Sequence, residues 1–182
     1  MSVALVSDRA RYSLGLRRLH WLMAVLVALA YVFIEQRGIF ERGTAERAAM
    51  VQAHFWMGLS VLVLVVWRLL LRRRDGAPPI TPLLPAWQAW PAKLLHLALY
   101  AFLLVMPVLG LLTAWTDGKV LFLPFTDIAL PALLGQDEAL AEQLEELHGS
   151  IGEAFYWVIG LHVLAAIYHH FIRRDDTLRR MF

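Results

Sequence analysis

The segment LHGSIGEAFYWVIGLHVLAAIYHHF near the C-terminus carries His148 and His162, fourteen residues apart on an apolar stretch. At 100° per residue the second imidazole returns to within about 40° of the first, and at 1.5 Å per residue the two are about 21 Å apart, roughly two thirds of a hydrocarbon core. Each ring can offer one nitrogen to a metal, so two haems could hang from this helix, one near each membrane surface. The chain has no cysteine, which excludes disulfides, iron–sulfur clusters, thiolate nucleophiles and covalent haem attachment. Any haem is therefore b-type, held by side-chain ligation and packing.

The elements that must position these rings are apolar. Of 182 residues, 59% are hydrophobic, and the mean hydropathy of +0.57 is that of a membrane protein. Apolar segments run over 19–34, 48–67, 94–116 and 151–172. Each spans a bilayer once its flanking turns are included. The reading is an all-α integral membrane four-helix bundle, residues 1–182 forming a single transmembrane domain. The proline-rich connection DGAPPITPLLPAWQAWPAK reads as an extended loop lying along the headgroups. DEALAEQLEELHGS reads as a short surface helix leading into the last span. Pro107 kinks the third.

Lysine and arginine are unevenly placed, with four in the N-terminal arm, five between the second and third spans and four in the tail. The two other connections hold Arg37, Arg42, Arg47 and Lys119. Positive residues accumulate on the cytoplasmic side, so both termini are expected there, and the N-terminus reads as a retained arm rather than a cleaved leader. Arg9, Arg11, Arg17 and Arg18 are expected to anchor at lipid headgroups. Membrane lipids are the expected surroundings, and no nucleic-acid partner is expected.

With that topology His20, His96 and His162 lie toward the cytoplasm, and His54 and His148 toward the outside. Ionisable residues inside a membrane are costly and tend to mark function. Two outer histidines from different helices satisfy one bis-histidine haem, and the inner group has members for another, with His20 or His96 able to reach His162. A zinc or copper site lacks the usual carboxylate or cysteine ligands in the inner layer. A proton relay leaves the same-face spacing unexplained. His169 returns to the face of His162 one layer closer to the cytoplasm, as an interfacial polar residue or a quinone contact, and His170 points about 100° away. Gly58, Gly110, Gly152 and Gly160 suit close helix packing, with room for a porphyrin edge as a second reading at Gly58 and Gly152. The tryptophans fit an aromatic belt.

LHWLMAVLVALAYVFIEQRG, AHFWMGLSVLVLVVWRLLLR, LLHLALYAFLLVMPVLGL and YWVIGLHVLAAIYHHFIRRDDTLRRM resemble the four helices of the bacterial cytochrome b561 family, over nearly the whole chain. The specific parts are the N-terminal HW, the second-helix histidine with its VxRLL ending, and the GLH…HHF…D-x-TL tail. The resemblance implies two haems b per chain, with His20 and His162 as inner ligands and His54 and His148 as outer ligands. It also implies a cytoplasmic-side ubiquinone site, beside which His169 is placed, in the bacterial inner membrane. The activity it implies is superoxide oxidase, with superoxide oxidised outside and ubiquinone reduced within the membrane. An anion needs positive steering, and the acidic third connection opposes it unless Arg37, Arg42, Arg47 and Lys119 converge. The alternative is an electron-transfer subunit that takes electrons from a partner protein such as a hydrogenase or dehydrogenase. A transporter or scaffold without cofactor is a third.

Overall fold

Three of the four long helices begin at a side chain able to cap them. Ser13 accepts from Leu16 N to start α1 (Leu14–Gln36), and Thr44 from Arg47 N to start α2 (Ala45–Asp75). Asp137 accepts from Leu140 N to start α4 (Glu138–Tyr168). Each cap satisfies an N–H that the helix itself cannot. The remaining helix, α3 (Ala86–Thr116), follows Pro85, whose fixed φ of −63° suits a helix entrance. At its far end α2 carries Arg72, Arg73 and Arg74 in the last turn and stops at Gly76, whose φ of +72° breaks the helix. This computed structural model describes residues 11–123, 126 and 128–182. Arg9, and Asp127 of the acidic third connection, lie outside them.

All four helices are long and apolar enough to cross a membrane. At 31 residues, α2 is about 46 Å long, against a hydrocarbon core of about 30 Å, so its ends project into the headgroups or beyond. Among the described residues the only β pairing is an isolated bridge between Phe122 and Ala129, so the fold is all-α. The helices pack in sequence order, α1 on α2, α2 on α3 and α3 on α4. The backbones of the other long-helix pairs scarcely approach one another. Met23, Val61 and Val65 form the buried centre, between α1 and α2. The outward residues are large and apolar, including Trp157 at 84% exposure, as lipid-facing surface requires.

Two expectations need correction. Residues 138–150 are not a separate surface helix but the first turns of α4, because Ala, Leu, Glu and Gln favour the helix strongly enough to carry it through Gly149 and Ser150, with no proline to stop it. Residues 86–93 are helical too, so the connection before α3 is shorter than its prolines suggest, and Pro91 costs α3 one hydrogen bond near its start.

Both described chain ends and the 76–85 connection gather at one end of the bundle, here called the terminal face. Tyr12 N donates to the Arg180 carbonyl at 3.2 Å, and Asp176 N to the Thr81 carbonyl at 3.2 Å. The Arg180 guanidinium bonds the Pro78 carbonyl, and the Trp21 indole donates to the Met181 carbonyl at 2.9 Å. Arg174, in the left-handed region at φ 56°, turns the tail back. That turn brings Asp175 to His169 Nδ1 at 2.6 Å and to Thr177 N at 2.9 Å. Arg173 Nε lies 3.0 Å from the same carboxylate, close enough for charge attraction though not aligned for a hydrogen bond. At the opposite face, Leu121 is buried, and the Phe122 carbonyl accepts from Trp56 and Gln52 of α2.

Burial alone would raise the Asp175 carboxyl, but hydrogen bonds from His169 and Thr177 outweigh it and hold it below the usual carboxylate range. A carboxyl depressed in the folded state stabilises above its ordinary pKa, and that contribution is lost as pH falls through the folded value. Hydrogen exchange, corrected for intrinsic rates, should show tail amides protected from pH 8 to 5 and progressively losing protection as pH falls below about 4. Asp175→Asn should speed tail exchange between pH 8 and 5 by roughly 5- to 150-fold, as expected for about 1–3 kcal/mol. An Asp175→Asn tail as protected as the unaltered one would contradict this anchoring.

Candidate haem site

Toward the face opposite the termini, α2 places His54 and α4 places His148 with ring centroids 6.1 Å apart and planes at 79°. His54 Nδ1 lies 2.8 Å from the Ala30 carbonyl of α1. A carbonyl only accepts, so Nδ1 carries the proton and Nε2 keeps its lone pair. His148 rests on α3 at Gly110, where an added Cβ would come within 3.3 Å of His148 Cε1. Gly58 has no atom within 4 Å of the position of a Cβ, and Gly152 would meet only Met106 Cε at 3.7 Å. The glycine that most directly seats an imidazole is therefore Gly110, which the sequence offered only as a packing residue three positions after Pro107.

Next to this pair is a cavity of about 410 Å³, lined by His54, His148, Gly58, Met106, Gly110 and Gly152 among others. That volume is within the usual range for bound small molecules and cofactors. Toward its mouth Tyr31 donates to the Gly152 carbonyl at 2.8 Å, and Tyr156 to Glu35 at 2.9 Å. These contacts, with the Tyr31 and Tyr156 rings 4.5 Å apart, tie α1 to α4 across the opening. Arg37 also lines the cavity. The positive funnel anticipated from Arg37, Arg42, Arg47 and Lys119 does not form as a group. Lys119 pairs with Asp117 at 2.5 Å, and Arg47 turns back to the Arg37 and Phe40 carbonyls. Arg37 is the one of the four at the cavity.

Toward the terminal face, α1 places His20 and α4 places His162 with centroids 6.2 Å apart and planes at 73°. His96 of α3 stands 5.5 Å from His162, on an exposed position, its Nδ1 bonded within its own helix to the Ala92 carbonyl at 2.6 Å. His169 is outside this layer, at the start of the π turn His169–Arg173, with Nδ1 committed to Asp175. Asp175 was missed as its partner. The D-x-TL spelling of the tail was the available signal, but the reversal at Arg174 that delivers it has no mark in composition.

The family described as "Prokaryotic cytochrome b561" matches residues 11–182. The chain belongs to that family. It is 36% identical over 164 residues to "Cytochrome b561 homolog 1" of Escherichia coli (strain K12), covering 90% of this chain and 92% of the relative. It is 32% identical over 163 residues to "Probable superoxide oxidase CybB" of Yersinia pestis, covering 90% of each. A third relative, "Cytochrome b561 homolog 2" of Escherichia coli (strain K12), is 30% identical over 180 residues, covering 94% of this chain and 90% of the relative. This prokaryotic cytochrome b561 is therefore a multi-pass membrane electron-transfer protein that binds b haem.

The residues fit that cofactor. A metal with an imidazole on each side, at about 2.0 Å per bond and about 1.1 Å from nitrogen to ring centre, separates the ring centres by about 6.2 Å. His54 with His148 and His20 with His162 have that spacing, and the 5.5 Å between His96 and His162 is too short for it. The Ala30 contact fixes the His54 ring and leaves Nε2 as the nitrogen that could ligate a metal. Gly110→Leu should displace His148 and lower the haem bound per chain. Gly135→Ala, outside the cavity and with no side chain near the added Cβ, should leave haem content unchanged. Pyridine haemochrome assay of both purified variants checks this, and full haem content in Gly110→Leu would contradict the seating role.

Proposed function

We propose that this cytochrome b561 is a superoxide:ubiquinone oxidoreductase of the bacterial inner membrane, a single domain with two b haems per chain and both termini cytoplasmic. The observation that carries the reading is the pair of imidazole couples, 6.1 and 6.2 Å between centroids, held at two depths by the one helix α4. Likeness to a protein named as a probable superoxide oxidase supports the donor. The excess of arginine at the terminal face supports the orientation.

The overall reaction takes two superoxide anions to two molecules of dioxygen and delivers two electrons and two protons to one quinone, forming quinol. When bound, b haem supplies a one-electron couple between ferric and ferrous iron. His54 and His148 would hold the outer group, and His20 and His162 would hold the one on the cytoplasmic side, each pair offering two imidazole nitrogens. No nucleophile or general base is needed outside, since superoxide loses only an electron. Arg37 draws the anion to the cavity mouth against the acidic 137–146 stretch. On the cytoplasmic side His169 stands beside the quinone. Asp175 keeps a proton on its Nδ1, and Nε2 is the nitrogen offered to a quinone oxygen.

A dithionite-reduced minus oxidised spectrum with pyridine haemochrome quantitation should give two low-spin haems b per chain. Superoxide added to the protein purified alone should reduce haem and, with ubiquinone present, form quinol. His148→Ala or His54→Ala should remove the outer haem and abolish reduction by superoxide, while the inner haem stays reducible by quinol. Survival of both haems in either variant would overturn the ligand assignment. Reduction that requires a docked partner protein would instead make the chain an electron-transfer subunit.

A further inference from the structure

The α2 helix repeats on its own surface the spacing found on α4. Arg68 follows His54 by fourteen residues, as His162 follows His148. It therefore lies about 21 Å along the helix from His54 and within about 40° of its azimuth, at the depth of the His20–His162 pair. Its side chain is buried, at 7% exposure. The Nη1 group bonds the Leu16 carbonyl, one turn before His20 on α1. Nε donates to the Tyr100 hydroxyl at 3.3 Å, one turn past His96 on α3.

Both hydrogen-bond partners are neutral, and no carboxylate among the described residues lies within ion-pair reach of Arg68. Elsewhere on the terminal face Arg173 and Arg180 stand beside Asp175 and Asp176. A cation buried at membrane depth without an anion is expensive. A guanidinium presents five N–H donors in a planar fork suited to a carboxylate, and the two contacts here leave most of them uncommitted.

We propose that Arg68 is the internal counter-ion of the haem held by His20 and His162, pairing with one of its propionates. The inference rests on the two-haem reading. A purely structural tie would use only the hydrogen bonds to Leu16 and Tyr100, so the charge itself is what separates the two roles. A fixed positive charge favours the ferrous state, which is less positive, and so raises the reduction potential of the nearer haem.

The test is an optical redox titration of purified Arg68→Gln, Arg68→Lys and Tyr100→Phe proteins, with haem counted per chain. Arg68→Gln should keep two haems and lower the midpoint potential of one while leaving the other in place. Arg68→Lys should restore most of the shift, and Tyr100→Phe should move it little. Two haems with unchanged potentials in Arg68→Gln overturn the proposal. If Arg68→Gln does not fold, Arg68→Lys decides it by infrared redox difference spectroscopy of haem labelled with ¹³C at the propionate carboxyls. Lysine keeps the charge but not the fork, so the labelled band should move, and an unmoved band overturns the pairing. Fewer than two haems in the unaltered protein overturns the parent reading, and this proposal with it.

Discussion

A neutral imidazole carried into a membrane has one N–H and one lone pair, and no water is at hand for either. His54 shows how half of that demand is met, with its N–H on the Ala30 carbonyl and its other nitrogen unspent. The unspent nitrogens need a Lewis acid, and the bundle leaves room for one. Helix α1 scarcely meets α4 along the backbone. Tyrosine side chains bridge them where close packing would otherwise have brought the backbones together. Packing without a hydrophobic drive favours contact through small residues. Gly110 uses that freedom to admit a histidine ring rather than another helix.

The space between the helices has to be kept open from its ends. At the terminal face the tail, the start of α1 and the connection before α3 are joined by backbone and arginine hydrogen bonds around Asp175 and Asp176. At the opposite face Leu121 and the Phe122 carbonyl fasten the long connection to α2. Arginines of the terminal face thus tie its segments together. Arg173 bonds the Leu83 carbonyl and Gln88 while standing beside Asp175.

Much of this was legible in the sequence because periodicity in a membrane is strict. Four apolar runs implied four helices, and His148 with His162 announced two layers on one face. What the linear pattern lacked was three-dimensional closure. The first turns of α4 looked like a surface helix because charge ends a hydropathy window without ending a helix. Lys119 looked available for an anion but is paired with Asp117, and Arg47 is spent on carbonyls. The Asp175–His169 pair depends on a left-handed residue at Arg174, a position with no glycine or asparagine to advertise it. Arg68 was hidden in plain view among four arginines at the end of α2, three of which read correctly as a positively charged helix end.

The central claim is that two crossed pairs of imidazoles each hold an iron. Their planes stand at 79° and 73°, far from parallel. Axial imidazoles crossed in this way leave the two lowest half-filled orbital arrangements of low-spin ferric iron nearly equal in energy. The electron paramagnetic resonance spectrum of the oxidised protein should therefore show two strongly anisotropic low-spin signals that integrate to two spins per chain. A high-spin signal, or a single species integrating to one, would contradict the account.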